Sequence, residues 1–183
     1  MAIVYPPLSD EAWPEEIADM RDDFVGRLNV YRVMAHHPAL VRAWADFRNH
    51  VVLNNALGQQ RSEVVILRTG YRMNAPYEWN HHVSRARACG IQDDRIETIR
   101  GATETMNAED AVLARAVDAL IDEKRLPEET HVELSTLVGK QGVFDVIATV
   151  GLYSILACIV RSFNTPLDAD ITRELLGSTM AMH

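Results

Sequence analysis

Eighteen consecutive residues, Val143 to Val160 (VFDVIATVGLYSILACIV), constrain this chain more than any other stretch. They are long and apolar enough to raise the question of a membrane span. Asp145, Thr149, Gly151, Tyr153 and Ser154 interrupt the run, and it stands alone in the sequence. A helix apolar most of the way round belongs in a protein core or a subunit interface. The run therefore predicts a central helix, spanning about 141–163, in a helical protein.

The rest of the chain reads the same way. Residues 14–24 open with Pro and acids, as a helix start should, and 28–35 form a second short helix stopped near His36-His37-Pro38. From Pro38 onward, Leu40, Val41, Trp44, Phe47 and Val51 recur at helical spacing, before a loop at 54–58. The run Val64-Val65-Ile66-Leu67 could be a strand, but its length and charged flanks favour a buried helix over 60–72. Further helices are expected over 76–89, 92–99, 108–124 and from Pro127 to about Leu137. No segment alternates as a strand would. The expectation is one all-α domain over 1–183, without linkers. Helix pairs 60–89 and 129–163 have similar layouts, too weakly alike to establish a repeat.

The 183 residues carry a formal net charge of −8. That argues against nucleic-acid binding, which needs clustered Lys and Arg, and against docking on anionic membranes. Two cysteines, Cys89 and Cys158, form no CxxC pair. A reduced, cytoplasmic setting fits them, and both read as core packing. The N-terminal MAIVYPPLSDEAW has no basic start and no long apolar core, so no signal peptide is expected.

The chemistry points to Tyr77-Glu78-Trp79-Asn80-His81-His82, between Pro76 and Gly90. Pro suits the first turn of a helix and Gly its end. Glu78 and His82, four apart, then share one face. The bland alternative is a surface ion pair. The preceding helix adds a third group. At about 1.5 Å rise per residue, Glu63 lies roughly 16 Å from the turn near Asn74, and His82 about 12 Å from it on the other limb. Glu63, Glu78 and His82 can therefore converge, and two carboxylates with one imidazole can relay a proton. Tyr77 and Trp79 are candidates to shape a pocket, although aromatics at a helix start are commonly core. Arg72 and His81 are candidates to hold an anionic substrate, or are simply solvated. His36 and His37 fit a helix-capping role better than substrate contact. A metal reading would use Glu78 and His82 with His81 or His36. There is no HExxH and no Cys/His cluster with ligand spacing, so no metal is expected.

The pattern R-S-E-V-V-I-L-R followed by Y-E-W-N-H-H-V-S-R-A-R-A-C-G-I resembles the carboxymuconolactone decarboxylase family, which is related to the alkylhydroperoxidase D proteins. The resemblance covers about 40–125, and its most specific element is E-W-x-x-H with A-x-x-x-G downstream. It implies an all-α fold built around a helical hairpin, in an obligate oligomer. Glu63 falls where peroxidase-type members keep a relay glutamate, and His82 where they keep the relay histidine. Their redox CxxC would fall on Ala75 and Glu78, neither of which is a cysteine. The resemblance is therefore to the decarboxylase branch, whose chemistry needs no cofactor.

The leading expectation is thus a cofactor-free lyase or isomerase acting on a small carboxylated lactone or ring-derived substrate. His82 would be the general acid/base, Glu63 would orient it, and Glu78 would be a second acid/base or polarise water. The alternatives are an alkylhydroperoxidase-like oxidoreductase and a non-catalytic oligomeric binding protein. The expected partner besides substrate is the chain itself, as a dimer, trimer or hexamer, with the 143–160 helix in a core or interface.

Overall fold

The computed structural model describes residues 5–176 and 180–182. Residues 1–4, at the start read as lacking a leader, lie outside it. Nine α-helices and no strand occur among the described residues: α1 (Phe24–Arg27), α2 (Asn29–Met34), α3 (Pro38–Asn49), α4 (Gln59–Arg72), α5 (Pro76–Ala88), α6 (Asp93–Thr98), α7 (Ala108–Asp122), α8 (Glu128–Ser162) and α9 (Ala169–Glu174).

The expected helix over 14–24 is absent as such. Glu15–Met20 is a 3₁₀ segment with Ile17 outside helical geometry, and the Asp23 carboxylate accepts from its neighbour Phe24 N–H to start α1 afresh. Asp and Asn favour such local caps over helix interiors. His37 caps the start of α3, its Nδ1 accepting from Leu40 N–H at 3.4 Å, and Pro38 follows as the first helical residue.

The α4–α5 hairpin is the centre of the molecule. Asn74 turns the chain with φ of 49°. Gly70 permits the close approach. A Cβ there would lie 3.3 Å from the Trp79 nitrogen and 3.4 Å from the Glu78 Cβ. The Val64–Leu67 run is helical and fully buried. Gly90, with φ of 88°, ends α5 in the left-handed region that glycine tolerates. Arg68 of α4 ties the hairpin to α7 by two bonds to Asp118, at 2.9 and 2.6 Å.

The long helix α8 is broken at Gly139, whose φ of 70° and ψ of 176° are not helical. The break falls between the two helices read from the sequence. Two cores result. Val65, Leu67, Val83, Leu113, Val117 and Val146 join α4, α5, α7 and α8. Val30, Trp44, Val51, Ile66, Leu152 and Leu156 join the N-terminal helices to the second half of α8. That half is long and apolar enough, by length and composition, to cross a membrane, and only part of it is covered by the rest of the chain. Phe144, Ile147, Gly151, Ile155 and Cys158 form an uncovered stripe along it. Cys158, read as core, is exposed because it falls on this stripe.

Candidate functional site

The site grows from one face of α5. Glu78, His82, Arg85 and Cys89 follow at spacings of four, three and four residues, which keeps them on one side of the helix. From α4, Glu63 meets the middle of that row. Its Oε2 lies 2.6 Å from His82 Nδ1. His82 is 2% exposed, and its ring meets Tyr153 of α8 edge to face, with centroids 5.0 Å apart.

Glu63, not His82, faces open space. A cleft of about 340 Å³ opens beside it, lined also by Ile66, Arg85 and Cys89. Its opposite wall is the π-helical turn His50–Asn54 and the residue after it, contributing Val51, Val52, Leu53 and Asn55. Single π turns recur at functional sites because they re-aim side chains. Asp145, buried on α8, fixes this turn. One of its oxygens contacts His50 Nε2 at 2.8 Å and the other accepts from Ala56 N–H at 2.7 Å.

Burial separates the protonation states of these groups. It pushes the His82 pKa below its ordinary value, while the Glu63 carboxylate opposes that shift only in part. The imidazole is therefore neutral near pH 7, and it donates through Nδ1–H to Glu63. Burial raises the Glu78 carboxyl to about 8, Arg85 partly countering it. Glu78 is 3% exposed and its Oε1 has no hydrogen-bond partner. Near neutrality it is an uncharged acid behind the dyad. Burial works against the Arg85 cation, but Tyr153, Glu63, Tyr31 and Glu78 around it hold its pKa above the ordinary value.

The remaining candidates are placed elsewhere. Expected at the substrate, Tyr77 and His81 instead converge on Asp168. The Tyr77 hydroxyl donates to Asp168 Oδ2, which also lies 3.0 Å from His81 Nε2. Asp168 accepts in turn from Asn29 N–H, and Tyr77 from Val30 N–H, so the cluster caps α2 from a distant segment. Bonds from His81 and Tyr77 hold the Asp168 carboxyl below its usual range despite burial. Trp79 is wholly buried, its Nε1–H donating to Met180 O at 2.7 Å. Arg72 pairs with Asp118 and Asp122 and does not line the cleft. These side chains lie away from the cleft for one reason: in a hairpin packed on most sides, neighbouring residues face different partners.

Sequence reasoning misses Arg85, Tyr153 and Tyr31. Arg85 is within reach of it, seven residues after Glu78. Tyr31 and Tyr153 come from remote segments and carry no local signal. Among the described residues, no group of three or more His, Cys, Asp or Glu side chains is placed to hold a metal ion.

Residues 38–122 match the model of the carboxymuconolactone decarboxylase family. The match runs from α3 through α7, and over that stretch the chain is similar to the family. No curated protein matches it in sequence. Solved structures share the fold at low identity. A peroxidase-related protein of Silicibacter sp. TM1040 superposes with a TM-score of 0.76 at 13% identity, covering 93% of each chain. A cysteine-to-alanine variant of the debrominase Bmp8, in complex with 2,3,4-tribromopyrrole, gives 0.75 at 14% identity over 97% of each chain. An alkylhydroperoxidase core protein of Ralstonia eutropha JMP134 gives 0.74 at 14%, covering 91% of this chain and 94% of its own. The chain thus has the alkylhydroperoxidase D-like helical fold.

Cys89 is the thiol nearest the site, and burial followed by the Glu63 charge raises its pKa. A thiol held protonated is a poor nucleophile. Replacing both Cys89 and Cys158 by Ala is expected to leave turnover largely intact. A double variant that folds normally by circular dichroism but is inactive would contradict this.

Proposed function

We propose that this chain is a cofactor-independent lyase or isomerase, working by acid–base chemistry on a small carboxylated lactone or ring-derived substrate. The observation that carries the reading is the 2.6 Å Glu63–His82 contact at the wall of a cleft. Glu63 is the group that meets substrate. It takes a proton from an activated carbon, or returns one to the enolate left when carbon dioxide departs. His82 orients the carboxylate and shares the proton through Nδ1, so that the base is held in one geometry. Glu78, neutral and buried, is the reserve acid of the interior. A buried carboxyl whose proton affinity is raised can serve as an acid beside a second carboxylate that acts as the base. In this reading the roles expected of Glu63 and His82 are exchanged, because of the two only Glu63 borders the cleft.

The test is a panel of carboxylated lactones and cyclic acids incubated in deuterated water. Deuterium incorporation or carbon dioxide release is expected for at least one of them. A protein that does neither, yet consumes alkyl peroxide with a thiol reductant, would replace this reading with the oxidoreductase one.

The same proposal includes assembly, in a reducing, cytoplasmic setting. Phe144 is 64% and Ile155 47% exposed on one helix face. An apolar stripe of this length fits an interface between copies. Light scattering is expected to give the mass of two, three or six chains, and Ile155→Glu to lower it. A stable monomer at micromolar concentration would count against assembly.

A further inference from the structure

Two charged side chains line the cleft, Glu63 and Arg85. Glu63 is bonded to His82. Among the described residues, the Arg85 side chain makes no ion pair and no hydrogen bond, although other arginines of the chain, such as Arg68, Arg72 and Arg95, are matched with carboxylates. Two further polar groups of the lining are already engaged: Ser62 Oγ–H of α4 donates to Asn55 Oδ1 at 3.0 Å, and Asn55 Nδ2–H to Val51 O at 2.7 Å. The half-buried guanidinium is thus an unengaged fork of donors beside the acid–base pair. A planar fork of this kind is matched best by a carboxylate, which accepts two parallel bonds.

We infer that Arg85 anchors the carboxylate of the substrate, and that the cleft selects small ring acids over their neutral analogues. The inference rests on the acid–base reading above, and it adds the residue that recognises the carboxylate. The ring would pack against Val51, Val52 and Ile66, which belong to the apolar part of the lining. Its reacting carbon would lie toward Glu63. Because Arg85 follows His82 by one turn of α5, anchor and dyad are fixed on the same rigid element, which is what positioning requires.

The test uses binding, so that it stands apart from turnover. Benzoate and benzamide are titrated calorimetrically into the full-length protein. They have nearly the same shape and differ in charge. Wild type is expected to prefer benzoate by roughly 10- to 100-fold, the range for a charged hydrogen-bonded pair. Arg85→Gln should abolish that preference, and Arg85→Lys, which keeps the charge without the fork, should retain part of it. Glu63→Gln should keep benzoate binding, because it removes the base and spares the anchor. Equal affinity for acid and amide in the wild type, no benzoate binding at all, or a preference that survives Arg85→Gln would each overturn the inference. Benzoate selectivity in a protein that exchanges no carbon-bound proton would instead sink the acid–base reading and leave the anchor standing.

Discussion

Glu63→Gln is expected to lower turnover by about 10²–10⁴-fold, the usual loss of a positioned general acid/base. Glu63 borders the cleft, and its carboxylate is held at 2.6 Å by an imidazole that is itself 2% exposed. His82→Ala should cost less, since it removes the orienting partner and leaves the carboxylate in place. His82→Asn supplies an amide donor near the lost Nδ1–H and should recover part of the rate. The pH profile separates orientation from mere packing. Burial depresses the His82 pKa, so the neutral imidazole persists into mildly acidic solution. The acidic limb of the wild-type profile should shift or flatten in His82→Asn. An unchanged profile and rate in both His82 variants would show that the dyad does no chemistry.

Glu78→Gln is expected to change the pH dependence of stability more than any other single substitution. Burial raises the Glu78 carboxyl from 4.5 to about 8, so between those values the folded chain holds a proton there that the unfolded chain has released. Stability from this group is fully present below pH 4.5 and is lost as pH rises through 8. A tenfold difference in proton affinity is worth about 1.4 kcal/mol, which makes the effect on the order of 5 kcal/mol at most. Water reaching the charged carboxylate reduces it. Glutamine has nearly the shape of the neutral acid and does not ionise. Thermal melts should find the variant close to wild type near about pH 5 and clearly more stable near about pH 9. A difference that does not vary with pH would show that Glu78 does not ionise in a buried site.

The helical class, the hairpin and the meeting of Glu63 with His82 were legible in the sequence because each rests on short-range geometry. Pro76 and Gly90 mark the ends of α5, the four-residue step puts Glu78 and His82 on one face, and helical rise alone brings Glu63 level with His82. The break in α8 was legible too, since Gly139 lies between the two predicted helices. What a side chain meets across the fold was not. Tyr77 and His81 look like site residues by position, yet Asp168, some ninety residues on, claims both to cap α2. Arg72 is drawn outward by two aspartates of α7, whereas Arg85, a plain arginine in an amphipathic pattern, faces the cleft without a partner. Periodicity fixes which face a residue occupies. Only the packing of remote helices decides whether that face meets a carboxylate, a core or an open cleft, and with it which of two bonded groups, Glu63 or His82, borders that cleft.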